Sequence, residues 1–557
     1  MKKILLILIC FLLVACTSDD KQNQEVEKID WARYDELIKL ASNENDAFIR
    51  KDYLHEAEDM LIDTYSVIPL YYETSRYLLN KDIKGVYVDD ISNLHYSYMY
   101  RENGDYDTPL TICISNDPTN LDPQLALTFN CGMVWTAAGS TLFIANENEE
   151  IVPELADHYE VSDDGLTYRI YLKDNLKWSD GKELTADDFV YSFSRAAKSS
   201  NGLEASELIN VIKGFPNNLQ VRSLDNGKIF EVELNNPCVY FISILCSTSL
   251  VPLRQDIIES TPGYMNDSNV VVNPSAWASE APIVTSGAYY IDSWKHNESI
   301  TLKKNPYYYD AQNVKTNTIQ LLLNSDATIA YSAYSSGDIC LLYDKIPSDI
   351  LDTLFDNEEY HQHMSLGTTY IYINVNNDFF KGMSVEEAKT FRKAIGFCID
   401  RKFITQIISI PEENIATTII PKQAQDGTGK RFGEYDYPYD GGYFPKQVNY
   451  DEARELLKSI GYEFDDKGKL VNPINLDYLT STGATFEAVA TCLQADLAQI
   501  GINLSIKTTD SNVFSADRKS GNFDLARGSW FFDYNDPLST FNIFTSVSSN
   551  NATQLGK

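Results

Sequence analysis

The sequence is poor in positive charge. Among 557 residues, 46 Lys and Arg stand against 80 Asp and Glu, a formal net charge of −34, and no basic run interrupts the acidic background. Such a chain repels phosphate backbones, which excludes nucleic acid as a partner. The acidity is spread along the chain and reads as a solvated surface. The short signatures of nucleotide and hydrolytic chemistry are also missing. GTGKR at 427–431 lacks the full GxxxxGK[ST] spacing of a phosphate-binding loop, and neither a GxSxG elbow nor an HExxH pair occurs. Histidine is scarce at 6 residues, and His361 and His363 in HQH read as a solvated loop pair rather than metal ligands. No catalysis, cofactor or metal is expected. Cysteines show no metal-binding spacing: beyond Cys10 and Cys16 near the start, Cys113, Cys131, Cys238, Cys246, Cys340, Cys398 and Cys492 are scattered, odd in number, and read mostly as small buried apolar residues. A Cys238–Cys246 bridge is allowed but not demanded.

Long apolar runs are absent but for one at the front. Lys2 and Lys3 precede ILLILICFLLVA, a stretch of 12 residues too short to span a bilayer, and LVAC then places Cys16 after Ala15. This resembles a bacterial lipoprotein signal. The resemblance implies cleavage before Cys16, lipid on that residue, and a polar tether over 16–29 that holds the exported protein at a bacterial cell membrane, in the periplasm or on the outer face. Several acyl chains anchor durably where one does not.

What is present describes a globular protein: 43% hydrophobic, 12% aromatic and 23% charged residues, with 36 Tyr. The length implies about two to four domains. Tyrosine supplies apolar area with a polar tip, which suits the walls of a cleft as well as a core. Helical and strand patterns alternate. TADDFVYSFSRA has Thr185 as N-cap, Asp188 to close a capping box, and Phe189, Phe193 and Ala197 on one face. NYDEARELLKSIGY repeats the logic from Asn449 and Glu452 to Gly461. TFEAVATCLQADLAQIG places Phe486, Ala490, Leu493, Leu497 and Ile500 on a stripe before the alternating strand INLSIKT. Leu54, Ala57 and Leu61 mark another helix that leads into a strand at Val67–Tyr72. The class is therefore α/β, with strands from distant segments sharing sheets.

Four stretches, LKWSDGKELTADDFVYSFSRA (176–196), SGAYYIDSWKHNESITLKKNPYYYD (286–310), FRKAIGFCIDRKFI (391–404) and FDLARGSWFFDYNDP (523–537), resemble the large oligopeptide-binding proteins of ABC importers, and they fall in that family's order across most of 109–557. One part is out of order. Segments resembling the family's closing third, YDELIKLA, EAEDMLIDTYSVIPLYY and LLNKDIKGVYV, lie at 34–102, ahead of the rest. The sequence thus resembles a circular permutant, with Lys557 followed by Ile29 restoring the family order; the tail of one binding protein fused to a truncated neighbour is the rival arrangement.

The resemblance implies a two-lobed periplasmic-binding-protein-like fold of type II, with an extra subdomain. After the signal (1–15) and tether (16–29), 30–74 belongs to lobe 2 and 75–108 to the closing strands and linker of lobe 1. Lobe 1 continues over 109–139 and 262–367, the extra subdomain occupies 140–261, and 368–557 completes lobe 2. It also implies function: a monomer that captures peptides between its lobes and delivers them to a membrane permease. A surface lipoprotein for adhesion or sensing, and a carrier of another solute such as nickel, are the alternatives. Carried over residue by residue, Asp533 meets the peptide ammonium, Trp530 forms an aromatic wall, and Arg527 and Arg518 serve the carboxylate end, where a guanidinium makes two-pronged contacts. Gly528 and Ser529 offer backbone and Tyr372 a pocket wall. Read without the family, Asp533 is equally a turn cap, Trp530 core, and the arginines surface ion pairs. The sequence departs from the family at Thr485, Ser511 and Glu73, where a histidine, a tryptophan and a tyrosine are usual; Glu73 implies a taste for basic side chains.

Overall fold

The computed structural model describes residues 25–557 except 126–128, 199–207, 269, 344–345 and 440. The leader and Cys16 lie outside the described residues.

Two strands organise the molecule because they are longer than a single lobe needs. VIPLYYETSRYLL forms a 13-residue strand, Val67–Leu79, and a 14-residue strand, Tyr360–Ile373, pairs with it antiparallel from Val67↔Tyr372 to Leu78↔Tyr360. Both are rich in β-branched and aromatic residues, which fit a pleated, buried surface. Their register shifts between Pro69 and Tyr71 and again between Tyr72 and Thr74. Such bulges bend and twist a ladder locally.

These strands join two halves of one ten-stranded sheet. On one side the order runs Tyr289–Lys295, Ser299–Lys304, Thr318–Leu323, Leu110–Ile114, Leu341–Tyr343; then come the two crossing strands; then Leu525–Phe531, Ile474–Ser481 and Ile502–Thr509. Each half has its own core. One buries Ile112, Trp135, Tyr289 and Leu321; the other buries Leu54, Leu61, Phe391, Leu493 and Phe541. A third core lies over a four-stranded sheet built from residues 156–233, where Phe189 and Phe193 of the helix Ala186–Ala196 pack on Phe230 at 5.7 and 5.0 Å. The architecture is the two-lobed α/β fold with an additional core.

The front of the chain belongs to the second half. Helix Ala32–Asn43 buries Tyr34, Leu37, Ile38 and Ala41, the i, i+3, i+4, i+7 stripe of an amphipathic helix, in the same core as residues 366–555. Trp31 Nε1 donates to the Phe544 carbonyl at 2.8 Å and the Tyr34 hydroxyl to that of Phe541 at 2.9 Å. A fully buried Leu or Ile contributes roughly 1.5–3 kcal/mol, so this stripe is an integral part of that core.

Local signals match the elements closely. Thr185 and Asp188 form the capping box, and Asn449 accepts from the Glu452 amide at 3.0 Å. Helix Ala484–Ala498 ends before Gly501, whose φ of +91° and close approach to Leu470 (an added Cβ would lie 2.6 Å from its backbone nitrogen) leave room only for glycine. Phe486, read as core, is only half-buried; it lies beside Arg527 instead. The HQH histidines are not in a solvated loop: both lie on the crossing strand, partly buried, and His361 stacks on Tyr77 at 4.7 Å. Cys238 and Cys246 are both free thiols.

Candidate functional site

A cavity of about 1370 Å³ opens where the cores meet. It exceeds the roughly 300–1,000 Å³ of a usual small-molecule pocket. Its walls come from the crossing strand (Glu73 to Ser75), from Met133 and Trp135 in the first half, from Tyr240 of the third core, and from Trp530 to Tyr534 of the second half. Asp533 and Trp530 thus face one space. Asp533 is exposed, beside Lys519 and Glu73 as the other charged walls. The indole Nε1 of Trp530 is buried with no hydrogen-bond partner among the described residues.

The chain presents Asp533 by ending a strand and pinning the turn beyond it. Leu525–Phe531 terminates, Phe532 turns inward, and the Asp533 amide donates to Ser539 Oγ at 2.8 Å. Tyr534 enters the third core and stacks on Tyr240 at 4.6 Å; burial pushes both phenols well up from their ordinary values. Asn535 donates its amide to Ser243 Oγ at 3.2 Å and its Nδ2 to Asp90 at 3.3 Å, while its Oδ1 accepts from the Gln425 amide at 3.0 Å. Asp536 is buried and takes two bonds from Arg50 at 2.7 and 2.8 Å. Residues 533–536 therefore touch all three cores. Sequence reasoning misses Arg50, Tyr240, Asn535 and Asp536; the run DYND, four hydrogen-bonding residues after WFF, is the one signal that could have pointed to the last two.

The other residues expected at the site form a separate group, and none of them lines the cavity. Alternation along Leu525–Phe531 puts Arg527 and Ser529 on the face opposite Gly528 and Trp530. The Arg527 guanidinium stacks over Phe486 at 3.8 Å, with Phe514 at 4.9 Å, and its Nη2 donates to Ser481 Oγ at 3.1 Å; burial lowers its pKa. Arg518 approaches the same Phe514 at 5.2 Å. Tyr372 is buried with its hydroxyl 2.9 Å from that of Tyr370. Both rings press on Gly528, where an added Cβ would come within 2.7 Å of the Tyr372 ring and closer still to Tyr370. Glu73, at the position of the family's tyrosine, lines the cavity and accepts from Thr369 Oγ1, whereas Thr485 and Ser511 are exposed and do not line it.

The fold and this interlobe cavity are those of a solute-binding protein, and comparison assigns the family. Residues 150–552 match the model of the bacterial extracellular solute-binding proteins, family 5, and the chain belongs to that family. The dipeptide-binding protein DppE of Bacillus subtilis is 26% identical over 451 residues, 79% of this chain and 77% of that protein. The periplasmic oligopeptide-binding protein OppA of Salmonella typhimurium is 28% identical over 424 residues, 74% of this chain and 72% of its own length. Among solved structures, the murein tripeptide-binding protein MppA of Escherichia coli superposes with a TM-score of 0.59 at 23% identity, covering 80% of this chain and 84% of that one. No helix among the described residues is long and apolar enough to cross a membrane.

Proposed function

We propose that this chain is the lipid-anchored receptor of an ABC importer: it captures oligopeptides between its lobes and presents them to a membrane permease. The observation that carries the reading is Asp533, exposed in a cavity shared by all three cores, with Trp530 beside it. Peptides of any sequence share a backbone, an α-ammonium and a carboxylate. A carboxylate in a cleft that closes over its ligand holds the ammonium, while strand-like pairing holds the backbone. The names of the peptide-binding relatives support the same ligand class. Ligand bridging both lobes biases the closed state, and the bulged crossing strands supply the hinge. In this reading Arg527 and Arg518 answer the carboxylate end, which requires the group around Phe514 to open toward the ligand.

Protein purified from Cys16 onward, with no lipid, is expected to release a population of short peptides in native mass spectrometry after mild denaturation. Asp533→Ala is expected to weaken the binding of a defined peptide by about 2–5 kcal/mol with the fold intact. Unchanged affinity would remove Asp533 from the site, and an empty wild-type protein that binds no peptide would refute the ligand class.

A further inference from the structure

Beside the hinge, and outside the cavity walls, three side chains from three parts of the molecule converge. Asp90 lies in the loop after the short strand Tyr87–Val88, Glu149 in the turn between Phe143–Ala145 and Ile151–Pro153, and His363 on the crossing strand. One donor atom from each lies within 4.8 Å of the other two. Among the described residues no other group of His, Cys, Asp and Glu side chains is so gathered.

We infer that Asp90, Glu149 and His363 form a binding site for one divalent transition-metal cation of the zinc type, set on the hinge. Geometry carries the assignment. Asp90 Oδ1 and His363 Nε2 lie 3.5 Å apart, a loose ion pair short of hydrogen-bond geometry although both atoms are buried and Asp90 is only 6% exposed. Buried polar atoms are costly to leave without close bonds, so a pair held this loosely has room for a shared partner. Bonds of about 2.0–2.2 Å to a tetrahedral ion separate its donors by roughly 3.3–3.6 Å, so the aspartate–histidine pair already has the required spacing. Glu149 has only to close from within 4.8 Å, and it sits on a hairpin turn.

One imidazole nitrogen with two carboxylates suits zinc and its neighbours rather than magnesium or calcium, which take oxygen ligands. Three protein donors leave a fourth position open. Other charges bear on the cluster: Arg431 acts on Glu149 against a cation, and Asp89 acts on His363 in its favour.

A bound ion would tie the crossing strand to the first core and to the third. It would also reach the ligand segment, because the other oxygen of Asp90 accepts from Asn535, two residues beyond Asp533. The site does not depend on the peptide reading. Titration of ZnCl2 into the EDTA-stripped, desalted protein, followed by calorimetry, is expected to give one site per chain with a micromolar or tighter Kd. His363→Ala and Glu149→Gln should each weaken it at least tenfold. His361→Ala, whose native ring is taken up by Tyr77, should bind as the wild type does. Absence of saturable 1:1 binding would overturn the proposal, as would a folded His363→Ala or Glu149→Gln protein with wild-type affinity. Glu149→Gln preserves the size of a half-buried turn residue, so the test survives if His363→Ala fails to fold.

Discussion

Asp533 and Asp536 are three residues apart and do opposite work. The first is exposed to the cavity; the second is sealed against Arg50, with side-chain exposures of 3% and 1%. Removing one partner of a buried pair strands the other charge in a dry interior and typically costs about 3–5 kcal/mol. Asp536→Ala should therefore lower the free energy of unfolding by that much, read as a lower urea midpoint at an unchanged slope, and since Asn535 and Tyr534 lean on the same turn, it should disturb all three cores together. A shift below about 1 kcal/mol would mean that the pair contributes little. The two aspartates also differ in legibility. Asp533 could be found because it sits inside a recognisable local motif. The role of Asp536 is set by a partner 486 positions away, and no local pattern encodes that. The two arginines illustrate a further limit: a motif names Arg527, but strand alternation and the neighbouring Phe486 decide which way it faces.

At the scale of elements, helix Ala47–Asp63 is legible from Leu54, Ala57 and Leu61, yet Arg50, His55 and Glu58 are buried on it too. Periodicity of apolar residues cannot reveal polar ones that find partners. His55 is stacked between Phe432 and Tyr435 at 4.0 and 3.9 Å, and burial lowers its pKa to about 4. Burial raises Glu58 to about 8, with Asp59 adding to the effect, while the Tyr437 and Tyr443 hydroxyls donate to it at 3.5 Å. The two shifts act on stability in opposite directions. A depressed His55 favours folding above its ordinary value of 6.5, and that contribution fades as pH falls toward 4. A raised Glu58 favours folding fully below 4.5, and the contribution is lost as pH climbs through 8. Between pH 6.5 and 8 only the Glu58 contribution of this pair changes. The melting temperature should fall over that window in the wild type and stay flatter in Glu58→Gln; parallel curves would show that Glu58 is ionised in the fold. The next strand shows the same limit: its pattern is clear over Val67–Tyr72, but it runs on to Leu79 because Tyr343 to Leu341 and Tyr360 to Met364 wait to pair with it.

At the scale of the whole molecule, the sequence reads as a reordered member of its family, and we carry that forward as a proposal. Its support is spatial. Residues 31–71 share a core with 366–555, and an added Cβ on Gly556 would lie 3.0 Å from that of Trp31, so the two segments run side by side. A chain rebuilt in the order 109–557 followed by 29–108 needs only a short join. It is expected to unfold within about 1 kcal/mol of the natural order, since no buried contact is lost and only loop closure changes. Collapse of the rebuilt protein to an insoluble or molten state would argue that the observed order is the one this fold requires. Class, helix caps and the existence of lobes are legible because they rest on local periodicity and motif order. The meeting of Asp90, Glu149 and His363 is not, because it brings together a loop, a hairpin turn and a crossing strand that are far apart in the chain.

The bond from Trp31 to Phe544 spans 513 residues, and that span is also a delay. At about 5–20 residues per second of synthesis, the first helices emerge roughly 25–100 seconds before the last side chains that will cover them. Over that interval the strand Val67–Leu79 waits for Leu341–Tyr343 and Tyr360–Ile373, and Trp31 and Tyr34 wait longer still, for Phe541 and Phe544. A ribosome making this chain therefore holds a second half whose core stays incomplete until the segment around Phe541 and Phe544 is made, a state in which chaperones and export machinery have more time to engage it than a front-to-back folder would grant.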